Sequence, residues 1–333
     1  MTITLSDFDK LSLPWPAEGN AWDGLPMARV GLRAALYFGD GYGAGKRQAL
    51  MNIIERYVAF AGGRIRAYQR AGDWRRQEAS DGLPVDLAPL RAAVDTPGAG
   101  FAIEMSAEAD VAVASHWSMV TVANANGYLL LHFPVAAFEG AAPHTFRNLF
   151  QKWCSDLNAL HAYAGLGLVL PVGGLSLGAA LSRCGPYLRR FVGLDADDPV
   201  STALWCREGI RTVNWLTAID SKLLSKVGGE AEVLRVAGKE VEAEPYSNGT
   251  VFISGVSAQL GDAQGGVFPT AFSALGRAVA PLRVDIPNAW LEAPADYHAP
   301  PGFSSKSGWG EAEPEELSSL HYTKSWMARF DGT

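Results

Sequence analysis

Residues 162–182 read AYAGLGLVLPVGGLSLGAALS, a stretch without a single charge, and its reading decides what kind of molecule this is. It is nearly long enough to cross a bilayer as a helix, which takes about 20 apolar residues. Pro171, the serines and the glycines argue against that; a buried strand, a turn and the start of a helix explain the same letters. The choice predicts a globular chain, and composition agrees. Of 333 residues, 48% are hydrophobic and 19% charged, as in ordinary globular proteins and unlike disordered ones. The 36 glycines amount to roughly 11% against about 7% on average, so many tight turns are expected.

Upstream of this stretch, Thr145 to Tyr163 (TFRNLFQKWCSDLNALHAY) puts positions 146, 149, 150, 153, 157 and 160 on one face and predicts an amphipathic helix. Val111 to Val122 and Tyr128 to Phe133 read as strands joined by Asn124-Ala125-Asn126-Gly127. Residues 64–100 are polar, Gly- and Pro-punctuated loop with short elements. Residues 29–38 (RVGLRAALYF) read as a strand ending at Gly39-Asp40, followed by a helix over 46–60 that Gly62-Gly63 stops. Downstream, residues 210–219 read as a strand or buried element and Ser221 to Val227 as a short helix closed by Gly228-Gly229. Val251 to Leu260 reads as a strand, Pro269 to Ala280 as a helix stopped by Pro281, and 285–316 as irregular chain. Trp326 and Phe330, four apart, are expected to pin a last helical turn to the body. The sum is an α+β protein with mainly antiparallel sheets covered by helices: a single unit over 1–333 with two lobes, 1–165 and 166–333. A strand, a Gly-Asp pair, a glycine-rich turn and a helix recur at Gly39-Asp40 and at Gly261-Asp262, an echo that suggests related halves. Asp40, Gly261 and Asp262 are read as turn residues, glycine supplying positive φ and each carboxylate accepting backbone N–H bonds.

Charge and cysteine narrow the function classes. With 28 basic and 35 acidic side chains the formal charge is -7, and no basic stripe exists to neutralise phosphates, so direct nucleic-acid binding is not expected. Two compact acidic groups stand out: Asp195, Asp197 and Asp198, and Glu240, Glu242 and Glu244. The plain reading is solvated turns and strand faces; the functional one is a partner-binding surface that steers a basic partner. Cys154, Cys184 and Cys206 form no CxxC pair, and their odd number fits a reducing compartment. The N-terminus, MTITLSDFDKLSLPW, lacks the features of a secretory signal, which points to the cytoplasm.

Catalytic motifs fail on inspection. In Phe38–Arg47 (FGDGYGAGKR) a phosphate loop would need glycine where Asp40 stands and a hydroxyl residue where Arg47 stands. Gly174-Leu175-Ser176-Leu177-Gly178 matches a nucleophile elbow. Ser176 could be served by His298 or His321 and by Asp262 or Asp285, which keeps a serine hydrolase as the alternative reading. Against it, no HGG-type oxyanion loop and no alternation of strands and helices precedes the motif. The six histidines are scattered, HExxH and Cys/His clusters are missing, and His116 reads as a packed residue. No catalytic residue, metal ligand or cofactor is assigned.

The second half then shows a family pattern. Val213-Asn214-Trp215-Leu216-Thr217, Leu223-Leu224 with Gly228-Gly229, and Ala258-Gln259-Leu260-Gly261-Asp262 lead to a helix that ends Pro281-Leu282-Arg283. Together with Gly31-Leu32, Leu36-Tyr37-Phe38 and Trp326-Met327-Ala328-Arg329-Phe330, they resemble the type VI secretion immunity protein family. The resemblance implies a non-catalytic cytoplasmic protein that protects its own cell by stoichiometric binding and occlusion of a cognate secreted toxin, often a nuclease. It implies neither a nucleic-acid nor a membrane partner and leaves open whether the chain forms a homo-oligomer.

Overall fold

β2 (Pro26–Gly39) and β8 (His161–Val169) lie side by side in the middle of one antiparallel sheet. The computed structural model describes residues 10–19, 21–70, 73–78, 85–96, 98–138, 145–304 and 313–332. Residues 1–9, read above for a signal, and 305–312 of the irregular stretch lie outside them. The sheet runs β10-β11-β9-β8-β2-β7-β6-β5-β3-β4, with β1 (Ser12–Pro14) paired to β2 off this path. Its other strands are β3 (Ala67–Arg70), β4 (Asp73–Glu78), β5 (Ala102–Ser106), β6 (Ser118–Val122), β7 (Asn126–Phe133), β9 (Leu216–Asp220), β10 (Val241–Tyr246) and β11 (Gly249–Ser254).

The uncharged stretch explains the centre. A strand covered on both faces can be a continuous apolar run, and every residue of β8 is buried. Ala35 faces Tyr163 and Leu36 faces Ala162 in its register with β2. Among the described residues the first two helices are α1 (Ala44–Ala61) and α2 (Ala88–Ala93), followed by α3 (Thr145–Leu157). The glycine-rich end of the stretch is α4 (Gly174–Arg183), followed by α5 (Gly185–Arg190) and α6 (Pro199–Trp205). Then come α7 (Ser221–Ser225), α8 (Glu230–Ala237), α9 (Thr270–Val279) and α10 (Pro314–Met327). No helix among the described residues is long and apolar enough to cross a membrane.

Alternation divides the sheet into two faces. Leu32, Ala34, Leu36 and Phe38 of β2, with Leu129 and Leu131 of β7, belong to the large core with Leu50, Ile54 and Tyr57 of α1 and Phe150 and Trp153 of α3. The alternate residues Ala35, Tyr37, Tyr128, Leu130 and Tyr163 form a second, smaller core with Ala203 of α6. Trp326 and Phe330 are buried as expected, on and just after a helix that starts earlier than the letters suggested.

Several expectations shift. The helix from Thr145 stops at Leu157, because Asn158 turns left-handed (φ 43°) and the chain re-enters as β8. Residues 111–117 are not strand, while β5 and the acidic β10 were missed. β11 ends at Ser254, well short of Leu260. The strand followed by Gly261-Asp262 is therefore not the counterpart of β2. In topology that place belongs to β9: the hairpin β6-β7 returns to pair with β2, as β10-β11 returns to pair with β9. Position 165/166, the lobe boundary, falls inside β8.

The turn residues divide. Asp262 accepts backbone N–H bonds from Gln264 (3.1 Å) and Gly265 (3.3 Å) and pairs with Arg190, beside Gly261 at φ 65°. Asp40 works differently from expectation. Its backbone is left-handed (φ 56°) and its carbonyl, not its carboxylate, accepts from Gly43 N–H at 3.2 Å. No side chain caps α1.

Candidate protein interface

The first acidic group is built into the interior. Residues 193–198 run beside β8, with Leu168 N–H donating to Asp195 O and Asp195 N–H to Leu166 O. Gly167 permits this approach, since a Cβ there would lie 2.8 Å from the Asp195 carbonyl. Two residues apart on extended chain, Asp195 and Asp197 point the same way and meet two arginines. Arg33 reaches Asp195 at 2.5 Å and Asp197 at 3.4 Å; Arg211 reaches them at 2.7 and 3.5 Å. Asp197 also accepts hydrogen bonds from the Tyr37 and Thr202 hydroxyls. The four charged side chains are each no more than 3% exposed.

Burial alone would lower the Arg33 guanidinium, but Asp195 and Asp197 outweigh it and hold it above its ordinary value; Arg211 is raised by the same contest. Burial would raise Asp195, yet Arg211 and Arg33 hold it below the usual carboxylate range. Two carboxylates thus face two guanidiniums inside the protein. Asp195 and Asp197 are buried, so neither carboxylate lies on the surface where the sequence reading expected it. Asp198, next along, caps α6 by accepting from Val200 N–H (3.1 Å) and Ser201 N–H (3.3 Å).

In the second acidic group Glu242 and Glu244 lie on β10, at one end of the sheet order, and Glu240 ends the short 3₁₀ turn just before it. Glu242 and Glu244 pair with Arg147 of α3 at 3.3 and 2.6 Å, the Glu242 side chain 67% exposed. Glu240 accepts from the Thr270 hydroxyl at 2.9 Å. This edge is blunted against strand addition: Pro245 has no N–H to offer, and its carbonyl already accepts from Gln151.

Between α6 and the far strands the second face of the sheet opens into a cleft of about 360 Å³. Val120, Val122 and Leu130 line it with Tyr128 and Glu104, and Leu177 and Val200 form part of its wall. These residues were not singled out from sequence. A signal was present in Arg33, a charge in the middle of an apolar strand, because a buried guanidinium requires carboxylate partners.

The hydrolase constellation is not assembled. Ser176 lies in the first turn of α4 and donates to the backbone carbonyls of Gly173 (2.9 Å) and Val111 (3.1 Å). Asp262 pairs with Arg190, Asp285 with Lys324, and His321 with the Tyr297 hydroxyl. His116 is bound to the Val30 carbonyl at 2.9 Å. Among the described residues no group of His, Cys, Asp and Glu is placed to hold a metal ion.

The fold and its surfaces define an α+β protein whose distinctive features are an acidic sheet edge and a half-open sheet face. The model of the TsiV family, type VI immunity for VRR-NUC, matches residues 50–299, and the chain belongs to that family. Among solved structures it is similar to the Pseudomonas aeruginosa T6SS protein PA0821. The TM-score is 0.71 and the identity 18% over 91% of this chain and 83% of that one, a likeness of fold. No curated protein matches.

Proposed function

We propose that this immunity protein neutralises a VRR-NUC toxin in the cytoplasm, without catalysis, by binding it one to one and covering its active site or the path of its substrate. The family match over residues 50–299 carries the reading. A toxin that cuts nucleic acid must grip phosphates and so offers a basic surface. A chain of net charge -7 with Glu240, Glu242 and Glu244 along one edge meets it with complementary charge, which speeds association. Because β8 binds both halves into one sheet, the toxin meets one unit rather than two separable lobes. Calorimetry between this chain and the VRR-NUC domain encoded beside its gene is the test, run in parallel with a DNA-cleavage assay. Saturable one-to-one binding that tracks loss of cleavage is expected; a folded, toxic domain that does not bind overturns the reading.

A further inference from the structure

His132 of β7 stands directly opposite Arg33 of β2, on the sheet face that opens into the cleft. It is only 4% exposed, and its hydrogen bonding fixes its tautomer. The Ser118 hydroxyl donates its hydrogen to the Ser115 carbonyl at 2.8 Å, so its oxygen, 2.9 Å from His132 Nδ1, can only accept. Nδ1 therefore carries the ring proton. Burial first, then Arg33 and His116, hold the imidazole well below its ordinary value, so the ring is neutral at neutral pH. Nε2 is left as a bare acceptor on the other side of the ring, and no described residue donates to it. Unlike the orphaned Nδ1 of His161, it is not sealed off, and His132 lines the cleft.

A buried acceptor without a donor costs what a lost hydrogen bond costs, and a ligand or a water is the remedy. The rest of the cleft says which. Its charges are already committed: Arg33 to Asp195 and Asp197, Asp197 also to Arg211, and Arg70 to Asp86. Asp198 caps α6, and Glu104 has a partner of its own. The groups still open to a ligand are neutral: His132 Nε2 and, among the described residues, the Tyr128 hydroxyl. These two residues lie four apart along β7, about 14 Å at about 3.4 Å per residue. Between them Val120, Val122 and Leu130 form an apolar floor, faced by Leu170, Leu177 and Val200. The volume of about 360 Å³ lies within the roughly 300–1,000 Å³ of small-molecule sites, which are likewise apolar slots with a few fixed polar points.

We infer that the cleft binds a small uncharged amphiphile of the phenol class, its hydroxyl donating to His132 Nε2 and its ring and short apolar tail lying over Leu130, Val120 and Val122 toward Tyr128. The ligand is neutral because no free charge is left to balance an ion in so dry a place. A phenol suits the site better than an aliphatic alcohol: its hydroxyl is the stronger donor, and the Arg33 guanidinium beside His132 stabilises the partial negative charge on the donor oxygen. This site stands apart from toxin binding, and neither depends on the other.

The test is calorimetry of the full chain with 4-propylphenol, its methyl ether 4-propylanisole, and 4-propylbenzoate, in wild type, His132→Phe and Val120→Trp. Long-range proton–nitrogen spectra of the imidazoles follow His132 directly. The phenol should bind saturably, one per chain, and move the His132 Nε2 signal. The ether keeps the shape and loses the donor, and should bind at least about tenfold more weakly. In His132→Phe the two should bind alike. Val120→Trp fills the slot while leaving the Ser118–His132 bond in place and should abolish binding; it answers even where His132→Phe fails to fold. Phenol and ether binding wild type within twofold of each other would reduce the cleft to an apolar slot and overturn the assignment. A benzoate that binds more tightly than the phenol, or phenol binding that survives Val120→Trp, overturns it too. No saturable binding by any of the three would mean that the cleft takes water alone.

Discussion

Asp195 and Asp197 on one side, Glu242 and Glu244 on the other, are each a pair of carboxylates two residues apart on extended chain, and their fates are opposite. The aspartates meet Arg33 and Arg211 in the dry interior and disappear from the surface. The glutamates share one arginine, Arg147, at a wet edge. What separates them is the opposing chain: β2 and the segment before β9 each bring a buried guanidinium to the first pair, whereas the second has only solvent beyond the last strand. An acidic cluster is therefore a surface feature only when no buried cation is aimed at it.

The sharpest way to break this contrast is Arg211→Met. Removing one cation from a buried ionic cluster leaves a carboxylate short of a partner, at a cost of about 3–5 kcal/mol. Urea unfolding should show it, and a loss under about 1 kcal/mol would mean water already reaches the cluster. Acid attacks the same cluster from the carboxylate side. Asp195 is held below its ordinary value, so the unfolded chain binds its proton more readily. Its contribution is complete above an unfolded carboxylate value of about 3.9 and is lost as pH falls through the lower folded value. Urea midpoints between pH 6 and pH 3 should therefore drop below pH 4 more steeply in wild type than in Arg211→Met; parallel curves would contradict this.

Smaller effects sharpen the contrast. Asp198→Ala removes only the α6 cap and should cost about 1 kcal/mol; thermal melts that match wild type would show the helix held by Asp197 alone. Glu242→Lys with Glu244→Lys should change stability by less than about 0.5 kcal/mol. It should nonetheless slow toxin association and flatten its salt dependence, readable by stopped-flow mixing. Unchanged rates would make the edge mere solvated surface.

The sequence carried the framework well where one signal dominated. β2, α1, α9 and the strand, turn and helix of residues 162–182 were legible because apolar runs and glycine stops agree there. β10 was not, since VEAEPY hides its strand under charge and a proline that only an edge tolerates. The fate of Asp195 and Asp197 was illegible for a deeper reason: it depends on Arg33, 162 positions before Asp195, and no local pattern encodes such a meeting. Trp205 and Leu204 look like core letters in a short helix, and only the direction of Thr202 shows that they face outward.

The pairing of β2 with β8 also sets a clock. Ala35 finds Tyr163 only after about 130 further residues have been made, which at about 5–20 residues per second takes on the order of ten seconds. During that time β2 has an unsatisfied edge on the β8 side, and a contact of such long sequence separation closes slowly. A cell relying on this protein cannot summon it at the moment of attack, so protection depends on a stock of finished molecules kept ahead of need.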